Sequence, residues 1–441
     1  MRILDEIFRL GGETLALWRQ NLLPLITWFS LGFATHLVGV QASALIGYQH
    51  ELLATMCFVL GLLGWLAGQV LMIHSFKALL WTPSRIADGS RQPAITVPTQ
   101  VFGEERRLDV LTAAIGPFLA VYSVWGFIDD EVRGLFFANL SQQGSLDVLT
   151  WSISFDPDRL VFYIALTAGA WVIGKLIELG LAMIRRRRRL GTWASVPEVI
   201  ADGTVVFGLF MTLAIAFGKL STWWQGRAVA VGIEALWRQF LDVLPPWPVW
   251  VDLTLPVALQ RFVDWFGEVL LPGMADRLLL PLMWLALTAT VFGWRTVHGR
   301  DIAAGTRLSP MVDRVDRATT GAAGAFGLAV RVATDDVRTK YLPVANALRL
   351  IWRAGPWFLG SYLILATVLW SAQNWLTIAL STVIGPRDLV TNFVGEPFRE
   401  LLIGLIIVPL SIALYAAAFD QVMGEVTRVG RRPARLLNGR S

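Results

Sequence analysis

Apolar residues in this chain fall in long windows rather than in short alternating runs. A helix rises 1.5 Å per residue, so about 20 apolar residues cross ~30 Å of hydrocarbon. Eight windows reach that length: 22–45, 52–80, 108–128, 160–184, 204–224, 277–297, 356–382 and 400–423. They predict an all-α fold, a polytopic membrane helix bundle of eight transmembrane helices.

The polar segments between the windows alternate in charge. Counting residues just inside adjoining helix ends, 28 of the 38 Lys and Arg lie in the N-terminus, 81–107, 185–203, 298–355 and the tail after 424. The segment 129–158 has six acids and one arginine, and 225–276 has six acids and three arginines. Lys and Arg accumulate in cytoplasmic loops, so the expected topology is four hairpins in the cytoplasmic (inner) membrane with both termini inside. The sharpest marker is Arg185, Arg186, Arg187, Arg188 and Arg189, which end the window 160–184. Each would cost roughly 2.5–3.5 kcal/mol at the centre of a spanning helix. Because the run abuts a spanning segment, it reads as a topology anchor and not as a nucleic-acid patch.

The expected organisation is a membrane domain 1–297 of three hairpins, a cytoplasmic connecting segment 298–355, a fourth hairpin 356–424 and a basic tail 425–441. Ala42-Ser43-Ala44 resembles a signal-cleavage site. The preceding apolar stretch exceeds the 7–15 residues of a signal core, however, and Asp5, Glu6 and Glu13 lie ahead of it, so the window is expected to stay as a span. A weak repeat, Ile86-Ala87-Asp88-Gly89, Ile200-Ala201-Asp202-Gly203 and Ile302-Ala303-Ala304-Gly305, follows the second, fourth and sixth windows. Pro24, Pro117 and Pro356 mark the expected cytoplasmic entries of three outward spans, where a missing N–H costs nothing.

Two stretches carry helical amphipathicity without the length to cross. Ile233, Leu236, Trp237, Phe240, Leu241 and Leu244 recur at i, i+3, i+4, i+7, i+8 and i+11, opposed by Glu234, Arg238 and Asp242. Leu259, Phe262, Val263, Phe266 and Leu270 repeat the pattern, opposed by Arg261, Asp264 and Glu268, and Pro245-Pro246-Trp247-Pro248 separates the two. They predict an outer pair of interfacial helices within 227–271, with Trp237, Phe240, Phe262 and Phe266 facing lipid or a partner. A milder stripe from Val315 to Val337 lies in 298–355, a second candidate contact surface for protein partners.

Composition supports the same class. Of 441 residues 55% are apolar and 16% charged, where soluble domains carry about a quarter, and mean hydropathy is +0.56. The twenty Trp residues suit the headgroup level of a bilayer. Arginine far outnumbers lysine, which occurs only at 77, 175, 219 and 340, in keeping with a GC-rich bacterial coding sequence. The single cysteine, Cys57, excludes an internal disulfide and a cysteine metal site.

Catalytic motifs are missing: there is no phosphate loop ending in Lys-Ser/Thr, no Gly-x-Ser-x-Gly and no His-Glu-x-x-His. Neither a cofactor nor a metal is expected. Asp129-Asp130-Glu131 read as the acidity an outer loop requires. The candidate site is Lys175 with Glu178, three apart on one helical face and roughly 15 Å from the Arg185 end. Either it lines a solute path or it is a structural ion pair. His36, inside the first window, belongs to the same candidate set, with a helix-packing hydrogen bond favoured over metal ligation. The leading expectation is a membrane-embedded subunit or scaffold without catalytic activity of its own. The rival is a transporter or channel with a solute path near Lys175 and Glu178.

Overall fold

The computed structural model describes residues 2–77, 79, 107–124, 127–143, 157–185, 196–245, 247–250, 253–292, 355–385 and 389–429. These are helical throughout, apart from turns and one antiparallel hairpin pairing Pro248–Trp250 with Leu253–Thr254. Among the described residues six helices are long and apolar enough to cross a membrane: Leu22–Ile46, Glu51–Ser75, Pro157–Leu181, Val196–Gln225, Pro356–Ile384 and Gly395–Val422. A helical protein of the membrane class is the result.

The elements in order are α1 (Arg2–Gln20), α2 (Leu22–Ile46), α3 (Glu51–Ser75), α4 (Arg107–Val124) and α5 (Phe127–Gln143). Next come α6 (Leu160–Arg185), α7 (Val196–Gln225), α8 (Ala228–Val243), α9 (Leu255–Trp265), α10 (Leu280–Val291), α11 (Pro356–Ile384) and α12 (Leu389–Val429). α2 and α3 form the central hairpin. Their backbones meet at two glycine pairs, Gly39 with Gly61 and Gly32 with Gly68. A Cβ on Gly39 would lie 2.5 Å from the Gly61 Cα, so only hydrogen fits. Small residues allow this approach where no water drives helices together. Asn21 hydrogen-bonds Ser75 across the open end of the hairpin.

Two apolar clusters fill the bundle. One, around Leu25, Phe29, Phe76, Phe118, Leu285, Tyr362 and Phe419, holds the Asn21/Ser75 end. Tyr362 there donates to the Pro281 carbonyl at 2.5 Å, tying α11 to the start of α10. The other joins Phe58, Leu62, Tyr122, Ile128, Leu135, Tyr163, Phe207 and Met211. α6 and α7 make a second hairpin, in which a Cβ on Gly208 would strike the Thr167 hydroxyl.

Several elements differ from the sequence expectation. α1 carries no expectation above. It is an amphipathic helix whose Leu10 and Thr14 are buried and whose Glu13 accepts from Gln421 of α12 at 2.8 Å. The window 108–128 falls on α4, which stops at Val124, and Pro117 lies inside that helix rather than at its entry. The polar stretch after it is a second helix, α5, not an outer loop. The window 277–297 falls on the 12-residue α10. From Leu255 to Val291 the chain is helical throughout, through π turns at Phe266–Leu270 and Ala275–Leu279. Ile200-Ala201-Asp202-Gly203 lies inside α7, with Gly203 against Leu63. The connecting segment 298–354, the tail from 430 and the repeats at 86 and 302 lie outside the described residues.

Candidate functional site

The polar residues that matter meet beside the middle of α2. His36 stands roughly 21 Å along the helix from Leu22 and roughly 15 Å from Ile46. Its Nε2 lies 3.1 Å from Oε2 of Glu131, and each side chain is less than a fifth exposed, at 19% and 18%. The hydroxyl of Tyr122, near the C-terminal end of α4, donates to the other carboxylate oxygen, Oε1, at 2.7 Å. Trp65 of α3 stands beside the pair, its ring centroid 6.2 Å from that of His36. Glu400 of α12 lies within electrostatic reach of both His36 and Glu131.

Local sequence explains why these groups converge. α5 buries Ile128, Val132, Leu135 and Asn139, which recur at helical spacing, and the first three pack into the second cluster with Val40 and Ala44 of α2. That stripe turns the neighbouring Glu131 inward, while Asp130 and Arg133 face outward and bond each other at 3.2 Å. Tyr122 lies near the described end of α4 at Val124, and Glu131 in the first turns of α5, which starts at Phe127. Discontinuous helices whose ends meet charged groups at mid-bundle depth are a recurrent way of building binding sites inside membranes.

The site continues along the helices. Two turns beyond His36 on α2, Ser43 is fully buried and its hydroxyl has no hydrogen-bond partner among the described residues. Two turns beyond Glu131 on α5, Asn139 is likewise fully buried with neither amide atom bonded. The Nδ1 of His36 is a fourth buried polar atom without a partner among the described residues. Leaving such groups unpaired costs about 1–3 kcal/mol each, and buried polar groups of this kind are ordinarily met by water or a ligand.

The other candidates are placed differently. Lys175 and Glu178 form an ion pair at 2.8 Å on α6, with side chains 48% and 57% exposed. They share the outward face with Trp171, Leu176 and Leu179, and His36 is not brought to them. Arg185 ends α6, and Arg186 to Arg189 lie outside the described residues. The two amphipathic stretches form α8 and α9, which touch where the Trp237 indole donates to Gln260 at 2.7 Å. Phe240, Phe262 and Phe266 stay exposed, with Trp237 stacked on Phe240 and Phe262 against Phe266. Among the described residues no group of three or more His, Cys, Asp or Glu is placed to hold a metal ion.

Sequence reasoning missed Glu131, Tyr122 and Glu400 as members of a site with His36. The available signal was Ile128, Val132, Leu135 and Asn139 at i, i+4, i+7 and i+11, a helix stripe running through a stretch that its acids made look like a loop.

No protein-family model, curated protein or solved structure matches this chain.

Proposed function

We propose that the protein is a multi-pass protein of the cytoplasmic membrane that passes a small ion or polar solute along the track from His36 and Glu131 past Ser43 and Asn139. The observation that supports this is a carboxylate held inside the bundle by His36 and Tyr122, with buried, unpaired polar atoms at His36 Nδ1 and, two turns further along the same two helices, at Ser43 and Asn139. Charges inside a spanning bundle are costly and face an interior or a wet path. In this reading the chain makes eight crossings as four hairpins with both termini inside. The α4–α5 pair supplies one broken crossing, and the chain has no catalytic activity of its own. Lys175 and Glu178 then act as a structural pair, because they stand on the outward face of α6 and away from the track.

The test is reconstitution into liposomes followed by charge-movement recordings across a panel of monovalent ions and small polar solutes. A current that disappears in Glu131→Gln at unchanged insertion supports the reading. Silence across the panel overturns it.

The subunit reading is favoured by a different observation: α8 buries almost nothing, leaving Ile233, Leu236, Phe240 and Val243 exposed together. A stoichiometric companion co-purified from native membranes and lost in Leu236→Glu would support that role, with the lipid bilayer and partners at α8–α9 and 298–355 as the contacts.

A further inference from the structure

We propose that His36 and Glu131 form a proton-binding site inside the bundle, with the imidazole Nδ1 as the atom that takes the proton. The inference rests on the transport reading above and names its ion.

The donor set points to this species. Both oxygens of Glu131 already accept hydrogen bonds, Oε2 from the His36 Nε2–H and Oε1 from the Tyr122 hydroxyl. With the proton assigned to Nε2 and the Tyr122 hydroxyl donating, Glu131 is ionised. Among the described residues no group of three or more His, Cys, Asp or Glu is placed to hold a metal cation here, whereas a proton needs one open acceptor and displaces neither bond. The atom left open is Nδ1, buried and without a hydrogen-bond partner among the described residues. Proton uptake there forms one N–H bond and breaks one O–H bond of a hydronium ion, which leaves as water. The His36–Glu131 pair goes from a net charge of −1 to zero, which a low-dielectric interior favours. Release reverses the step.

The charged and titratable groups around the pair come from every element packed on it. α3 contributes only Trp65, α4 the Tyr122 phenol, and α5 Asp129 with the bonded Asp130 and Arg133. α12 contributes Glu400, within electrostatic reach, and Glu396 bonded to Arg399. Both arginines are thus engaged with their own carboxylates. Glu400 and Asp129 are the remaining negative groups, and of the two Glu400 is the exposed one. Glu400 can attract a proton toward the pair and hand it on through water.

The test uses the full chain in lipid nanodiscs with 15N-labelled histidine, the His36 signal being the one of four that vanishes in His36→Gln. Expected is a titration of that signal between pH 4 and 9, with a midpoint at least one unit lower in Glu131→Gln because the stabilising carboxylate is gone. A His36 signal that does not change over that range, or an unmoved midpoint in a variant with a normal melting temperature, overturns the proposal. Tyr122→Phe serves as a second variant if Glu131→Gln does not fold, with a smaller downward shift expected. The same protein in vesicles with a trapped pH dye reports proton flux under an imposed potential. Titration without flux leaves the proton site standing and removes the transport reading. Flux of another ion with a silent His36 does the reverse.

Discussion

Glu131 carries three interactions at once, and its removal has a different cost from removing its partners. In Glu131→Ala the His36 Nε2–H loses its buried acceptor, a loss of about 1–3 kcal/mol. Tyr122→Phe deletes one hydrogen bond to a charged group, about 1.5–3 kcal/mol. The pair His36→Phe with Glu131→Leu removes donor and acceptor together and is expected to unfold at a temperature closer to wild type than Glu131→Ala does. Thermal melting of purified protein in detergent ranks these variants, and the double variant melting lowest would contradict the argument. Lys175 and Glu178 make the complementary case. In Lys175→Met the Glu178 carboxylate is left on an apolar helix face beside Leu176 and Leu179. Inserted abundance should fall in the single variant and return in Lys175→Met with Glu178→Gln. Equal abundance in all three would mean that the pair sits in water. Lys175 and Glu178 could be paired from sequence because three residues of helix bring them together. His36 and Glu131 are 95 residues apart, and no local rule joins them.

At the level of elements, the α2–α3 hairpin depends on glycines that nothing local demands. Gly39→Ala places a methyl on the Gly61 backbone and should lower stability by about 1–3 kcal/mol, whereas Gly12→Ala, on an open face of α1 with nothing within 4 Å, should gain up to about 1 kcal/mol. If the two alanine variants melt alike, the close approach is not tight. α8 is the element whose surroundings matter most for function. A nitroxide replacing Asp242 should be relaxed by water-soluble reagents and one replacing Phe240 by oxygen dissolved in lipid. Matching accessibility at both positions would remove α8 from the interface. The prolines show how far punctuation can be read. Pro356 starts α11 as expected, directly after Gly355 at φ 97°. Pro117 sits mid-helix, because α4 begins ten residues earlier, at Arg107.

For the whole molecule, the proposed topology is checked by single cysteines in a Cys57→Ser background. Cysteines replacing Gly144 and Gly273 should react with an impermeant maleimide added outside. Those replacing Gly191 and Ser309 should react only once the membrane is opened, and labelling of the Gly191 position in intact cells would invert the map. The sequence alone determined the class of this protein. Burying backbone in hydrocarbon requires long apolar helices, and their length and apolar character are written locally in composition. Amphipathic α8 and α9 were legible for the same reason, since period 3.6 is a local property. The tertiary structure alone decided where the polar chemistry lies. It ended α4 at Val124, folded Asp129-Asp130-Glu131 into a helix against α2, and brought His36, Tyr122, Glu131 and Glu400 together from four helices. Packing of non-local faces selects which charges are turned inward, and a single sequence carries no record of which helix lies beside which.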